Sequence, residues 1–144
     1  MREILFRGKS IVTNDFVFGY YYRAKEYRED TDLCDYIATP HPGERGIPSD
    51  HFMVTAETVG QYTGKDDKNG NKIFEGDIVR FAPSEKNRGA DGIECVIYKN
   101  CQFGVLCGWH MEFVCPNWFA NTTFEVVGNI YDTPELLGRR KGNE

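Results

Sequence analysis

Short runs of β-branched and aromatic residues, separated by Gly, Pro, Asn and Asp, fill almost the whole chain, and no long stretch repeats its apolar residues at helical spacing. "EILFRG" (residues 3–8) and "DFVFGYYYRAKEY" (15–27) suit a pleated, half-buried surface and predict a hairpin within 1–30. "CDYIAT" (34–39) and "HFMVT" (51–55) are further short strands, separated by the Pro/Gly-rich loop "PHPGERGIPSD" around 40–50. "TVGQYTG" (58–64) predicts a strand end interrupted by Gly60 and Gly64. In "KDDKNGNK" (65–72), Asn69-Gly70 predicts a tight type I′ hairpin turn, which needs positive φ at both residues. "IFEGDIVRF" (73–81) restarts the sheet, with Gly76 marking a bulge or a close backbone approach. The mixed parity of Asp77–Phe81 predicts a well-buried strand with Arg80 near an edge.

"IECVIYK" (93–99) and "FEVVGNIYD" (124–132) read as strands. "FGVLCGWHMEF" (103–113) has the cleanest alternation: Phe103, Val105, Cys107, Trp109, Met111 and Phe113 share one face. It predicts a long strand or a bent pair of strands. "TPELLG" (133–138) predicts one helical turn, with Thr133 as N-cap, Pro134 at the first position and Gly138 as the stop. Roughly eight to ten short strands with turns between them predict an antiparallel barrel or sandwich.

Composition adds bounds. The chain has 144 residues, 40% hydrophobic and 14% aromatic, enough for one domain with a real core. The net charge of -5 and the lone basic cluster Arg139-Arg140-Lys141 weigh against a surface that neutralises many phosphates. The start, "MREILFRGKSIV", mixes acid and base without an apolar run, and no window is apolar enough to span a membrane, so a cytoplasmic location is expected. The five cysteines, an odd number, are expected to be reduced thiols.

Specific chemistries fit poorly. Threading an EF-hand through the turn with Gly70 at position 6 puts Lys65 at position 1 and Gly76 at position 12, where ligands are required. Cys101, Cys107, His110 and Cys115 lack the Cys-x-x-Cys spacing of a zinc knuckle, and strand parity turns Cys107 and His110 to opposite faces. No Gly-rich phosphate loop opens a helix. A Cys34–His51 nucleophile–base pair is conceivable, without a signature that marks it. Trp118, in the loop "PNWFAN", reads as a barrel plug or a partner anchor. Tyr20, Tyr21 and Tyr22 are consecutive, so at least one faces outward, in a contact surface or an ordinary amphipathic strand.

Three blocks, "REILFRGK", "TVGQYTGKDDKNGNKIFEGDIVRF" and "FEVVGNIYDTPELL", resemble the YopX family in order and spacing. The middle block carries the specificity, through Glu57, Thr58, Gly60, Gln61, Tyr62, Gly64, Asp67, Asn69, Gly70, Glu75, Gly76 and Asp77. The resemblance implies bacteriophage or prophage origin and a partly SH3-like barrel. It brings no activity and no catalytic residues to carry over.

The sequence therefore predicts an all-β protein: an SH3-like small barrel over 57–138, an N-terminal hairpin extension over 1–56, only short helical turns, and a flexible basic tail over 139–144. The expected role is a non-catalytic protein-interaction or regulatory module. A nucleic-acid-binding barrel is the alternative, and a Cys/His enzyme the third choice. No cofactor is expected. A protein partner is expected first, with self-association through an exposed edge strand, and with nucleic acid disfavoured by the charge. Tyr62, Asp77, Arg80 and Trp118 form the candidate binding surface.

Overall fold

A computed structural model describes residues 1–26, 32–40, 48–81, 92–107, 112–113 and 122–138. The fold is all-β, with two antiparallel sheets. The chain divides into two compact units, Met1–Tyr62 and Thr63–Glu144.

In the first unit, β1 (Phe6–Lys9) and β2 (Phe16–Lys25) form the expected hairpin, with Lys9 opposite Phe16 and Phe6 opposite Gly19. Its turn is closed by Ser10, whose amide donates to Asp15 O (2.9 Å) and whose hydroxyl accepts the Val12 amide (3.2 Å). β3 (Leu33–Pro40) and β4 (Pro48–Val54) extend the sheet. A 3₁₀ turn, Ala56–Thr58, then leads into β5 (Gly60–Asp66), whose start pairs with β1. The order in this unit is β4-β3-β2-β1-β5. The Thr58 hydroxyl accepts the Lys9 amide (2.9 Å) and donates to Thr55 O (2.6 Å), which locks the turn to β1. An isolated bridge between Ser10 and Val54 joins the end of β1 to β4. Ile37, Ala38, Val54 and Tyr62 are buried here. β5 is continuous, so Gly60 and Gly64 do not interrupt it; Gly64 takes φ 87° inside the strand.

In the second unit, β5 leads through a turn to β6 (Lys72–Phe74). β7 (Asp77–Phe81), β8 (Gly92–Lys99), β9 (Gln102–Cys107), β10 (Glu112–Phe113) and β11 (Phe124–Asn129) form a sheet of order β10-β9-β8-β7-β11. Of the two forms expected for 103–113, the bent pair is the one present, as β9 and β10. Ile73, Val79, Phe81, Val96, Val105 and Phe124 make the core, with Phe103 and Val126 packed against it. Each such side chain contributes about 1.5–3 kcal/mol by leaving water. The expected barrel closure over 57–138 is not found among the described strands, where β10 and β11 are the two ends of an open sheet.

Two local expectations need correction. Arg80 is exposed, but not because it lies at an edge: β7 is paired on both sides, and Arg80 sits opposite Ile93 and Glu125. Its exposure comes from parity, since Val79 and Phe81 take the core face. The helical turn α1 (Glu135–Gly138) forms as expected, but the Thr133 hydroxyl does not cap it. That hydroxyl accepts the Asn129 amide (3.1 Å) and donates to Asn129 O (3.2 Å), tying the turn to the end of β11.

The β8–β9 hairpin has a two-residue loop, Asn100-Cys101, with φ 54° and 62°. This is the type I′ geometry expected at Asn69-Gly70, formed elsewhere with a cysteine at the second position. The left-handed region costs an L side chain about 1 kcal/mol that glycine avoids. Cys101→Gly is therefore expected to stabilise the protein by about 1 kcal/mol, read as a higher urea midpoint with an unchanged slope.

Candidate functional site

Two of the candidate surface residues are interior. Tyr62 is buried, and its amide donates to Leu5 O (2.7 Å). Asp77 is buried, and its Oδ2 accepts the Phe74 amide (2.8 Å), bracing the Glu75-Gly76 turn between β6 and β7. Arg80 is exposed on β7, and alternation puts it on the face opposite to Asp77. Trp118 lies outside the described residues, as do residues 41–47 of the Pro/Gly-rich loop, His41, His110, Cys115 and the tail 139–144. Asp77 and Arg80 thus share no surface, and Tyr62 is buried within the first unit.

Gly76 is a turn residue rather than a bulge, with φ 85°. Its amide donates to Val96 O and its carbonyl accepts the Ile130 amide, both at 2.9 Å. A Cβ there would lie 3.1 Å from the Tyr131 ring, so the close approach expected of this glycine is present.

The neighbouring corner is organised by Asp67, which the candidate surface omitted. Its Oδ1 accepts the amides of Asn69 (2.9 Å) and Asn71 (2.8 Å), and its Oδ2 accepts the amide of Val126 (3.0 Å). Gly70 N donates to Asp67 O (3.0 Å) and Asp67 N to Asn71 O (2.7 Å), with positive φ at Gly70 but not at Asn69. This is a type I turn followed by a left-handed glycine, not a type I′ turn. The reason is the aspartate: its carboxylate gathers the turn amides and favours the type I path. Burial opposes ionisation of Asp67, but the amides of Val126, Asn71 and Asn69 and the Asn71 side chain outweigh it and hold the carboxyl below its usual range.

The same contacts cover a strand edge. Lys68 N donates to Phe124 O (2.9 Å) beside the Asp67–Val126 bond, so the corner occupies the outer edge of β11 at its start. On β4, Met53 O accepts the Ile11 amide (3.0 Å) and Val54 bridges Ser10. Of the four end strands β4, β6, β10 and β11, these contacts partly occupy two, β4 and β11.

The open chemistry lies on one face of the first sheet. Alternation puts Phe16, Phe18, Tyr20 and Tyr22 of β2 on the same side. Phe18, Tyr20 and Tyr22 are 45%, 55% and 36% exposed. The registers add Arg7 and Lys9 from β1, Tyr36 and Ala38 from β3, and His51 and Met53 from β4. Tyr22 stacks on Tyr36 (centroids 5.1 Å apart, 12° between planes), and the Tyr22 hydroxyl lies 2.8 Å from His51 Nδ1. The Arg7 guanidinium lies 4.3 Å and the Lys9 ammonium 5.0 Å from the Phe16 centroid, two cations over one ring. On the opposite face, Asp35 accepts the Tyr21 hydroxyl and pairs with Arg23 (3.3 Å).

The sequence signal for this row was the aromatic at every even position from 16 to 22; it is easily lost among three consecutive tyrosines.

Cys34 does not make a catalytic pair with His51. Cys34 lies opposite Ala24, whereas His51 lies opposite Ala38, four residues further along β3. That spacing is about 13 Å at the rise of a strand. The Cys95 thiol is pushed up to about 11 by burial and then by the carboxylates of Asp77 and Glu94. Among the described residues, no three side chains that ligate metals converge.

The family model described as "YopX protein" matches residues 5–138. The crystal structure of protein EF1440 from Enterococcus faecalis is similar in fold, with a TM-score of 0.51 at 22% identity, over 95% of this chain and 99% of that one. No curated protein is significantly similar to the chain.

Proposed function

This chain belongs to the YopX family, and we propose that it is a non-catalytic binding protein that works through the aromatic face of β1–β4. The observation that carries this reading is the exposure of Phe18, Tyr20 and Tyr22 in one row on a paired strand. Exposed aromatics cost solubility, and a contiguous row of them marks a contact surface. A sheet also holds such rings at fixed spacing, so little rotamer freedom is lost when a partner lands on them.

The proposal keeps the phage or prophage origin, the cytoplasmic setting and the small SH3-like barrel that the sequence led us to expect, but places the barrel in Met1–Tyr62. The run of four strands, a 3₁₀ turn and a fifth strand back on the first, with the Ser10–Val54 bridge, supports that placement.

The test compares the full chain with a Phe18→Ala, Tyr20→Ala, Tyr22→Ala triple variant of unchanged circular dichroism. Both are tagged and used for capture from a bacterial lysate, with and without nuclease. The wild type is expected to retain a component that the variant loses. Identical capture by the two proteins would overturn the reading.

A further inference from the structure

We propose that the aromatic face of β1–β4 is a stacking platform for single-stranded nucleic acid, with unpaired bases laid on Phe18, Tyr20 and Tyr22; this rests on the binding-face reading above and names its ligand. Alternate residues on a strand are about 6.7 Å apart, so the three rings form a short ladder, in which Tyr22 gives one face to Tyr36 and offers the other. Stacking on such rings tolerates any sequence, because every base has a π-face to offer. A duplex keeps its bases stacked on one another and presents only grooves and phosphates. The platform therefore selects single strands.

The charge on this face agrees. Its strand positions carry Arg7, Lys9 and His51, and none of them carries a carboxylate. Asp35 and Asp50 take the opposite parity, and Glu26, just past the end of β2, bounds the face at one end. In a chain of net charge -5, acids are thus kept off the strand positions of β1–β4 that carry the ring row. Arg7 and Lys9 are each only 6% exposed and are held over Phe16. They act as fixed positive charge at the end of the ring row rather than as grips on phosphates. Affinity should then come mainly from stacking, with a shallow salt dependence, since the slope counts the phosphates neutralised. The net charge that argues against a phosphate-tracking groove does not argue against this mode.

The experiment is fluorescence anisotropy of the full chain with a labelled 12-mer oligodeoxythymidylate, an RNA of the same length and a 12-base-pair duplex, at low and moderate salt. Both single strands are expected to bind, and the duplex at least about tenfold more weakly. Tyr20→Ala and Tyr20→Leu are each expected to weaken single-strand binding about tenfold, the loss of one stacked base. Tyr20→Phe is expected to retain it. The leucine variant keeps the apolar bulk, so its loss separates stacking from general stickiness. Absence of single-strand binding, or binding indifferent to Tyr20→Leu, overturns the inference. A nuclease-resistant protein captured by the wild type and lost in the triple variant, together with silent oligonucleotides, would leave the binding face standing and replace its ligand by a protein. If neither assay responds to the rings, both readings fall.

Discussion

Asp67→Ala is expected to cost about 3 kcal/mol, because the change strips a buried charged acceptor from three backbone amides at once. The amides of Asn69 and Asn71 belong to the turn and can recover water. The Val126 amide belongs to β11, 59 residues away in sequence, so the bond from Asp67 is the long-range part of the loss. Removing it also opens the edge of β11 that Lys68 N helps to cover. The variant is therefore expected to aggregate more readily than its stability alone implies. The pH dependence supplies a second readout. The folded carboxyl titrates below its unfolded value, so its contribution is present above about pH 4 and is lost as pH falls through the folded value. Urea midpoints for wild type and Asp67→Asn should therefore differ at neutral pH and converge in acid. A gap that stays constant down to low pH would show that the amides respond to shape rather than to charge.

The corner also shows what the sequence could and could not reveal. Strand positions were legible because β-branched and aromatic runs between breakers have few alternatives, and the fold is all-β as the pattern implied. The Asn69-Gly70 turn was misread because pair statistics favour type I′, whereas here a side chain two residues upstream decides the backbone. That carboxylate is itself aimed by a strand far along the chain, which no local window contains. A charged residue such as Arg80 in an otherwise buried strand has two explanations in sequence, parity and edge position; only the pairing with β8 and β11 separates them. Of the candidate surface, Tyr62 and Asp77 belong to the family motif, and both are buried. The aromatic row was within reach of a parity count along Phe16–Tyr22, yet its meaning depends on the neighbours that the register brings: Arg7 and Lys9 on one side, Tyr36 and His51 on the other.

The residue that lets β2 hold that row is Gly19, and Gly19→Ala is expected to cost about 3 kcal/mol, at the upper end of overpacking in a core. An added Cβ would sit 2.1 Å from the Ala38 carbonyl oxygen and 2.9 Å from its carbon. These are backbone atoms of the paired strand, so no side chain can swing away to make room. Gly70→Ala is a contrast: φ is 82° but nothing lies within 4 Å, and the expected cost is only the left-handed strain of about 1 kcal/mol. At Gly19 the strain must be relieved by parting β2 from β3. That movement would separate Tyr22 from Tyr36 and the Tyr22 hydroxyl from His51. Loss of stability should therefore come with a change in the near-ultraviolet signal of the tyrosines and with loss of whatever the aromatic face binds. A Gly19→Ala protein with the wild-type urea midpoint would mean that β2 and β3 stand further apart than these contacts require.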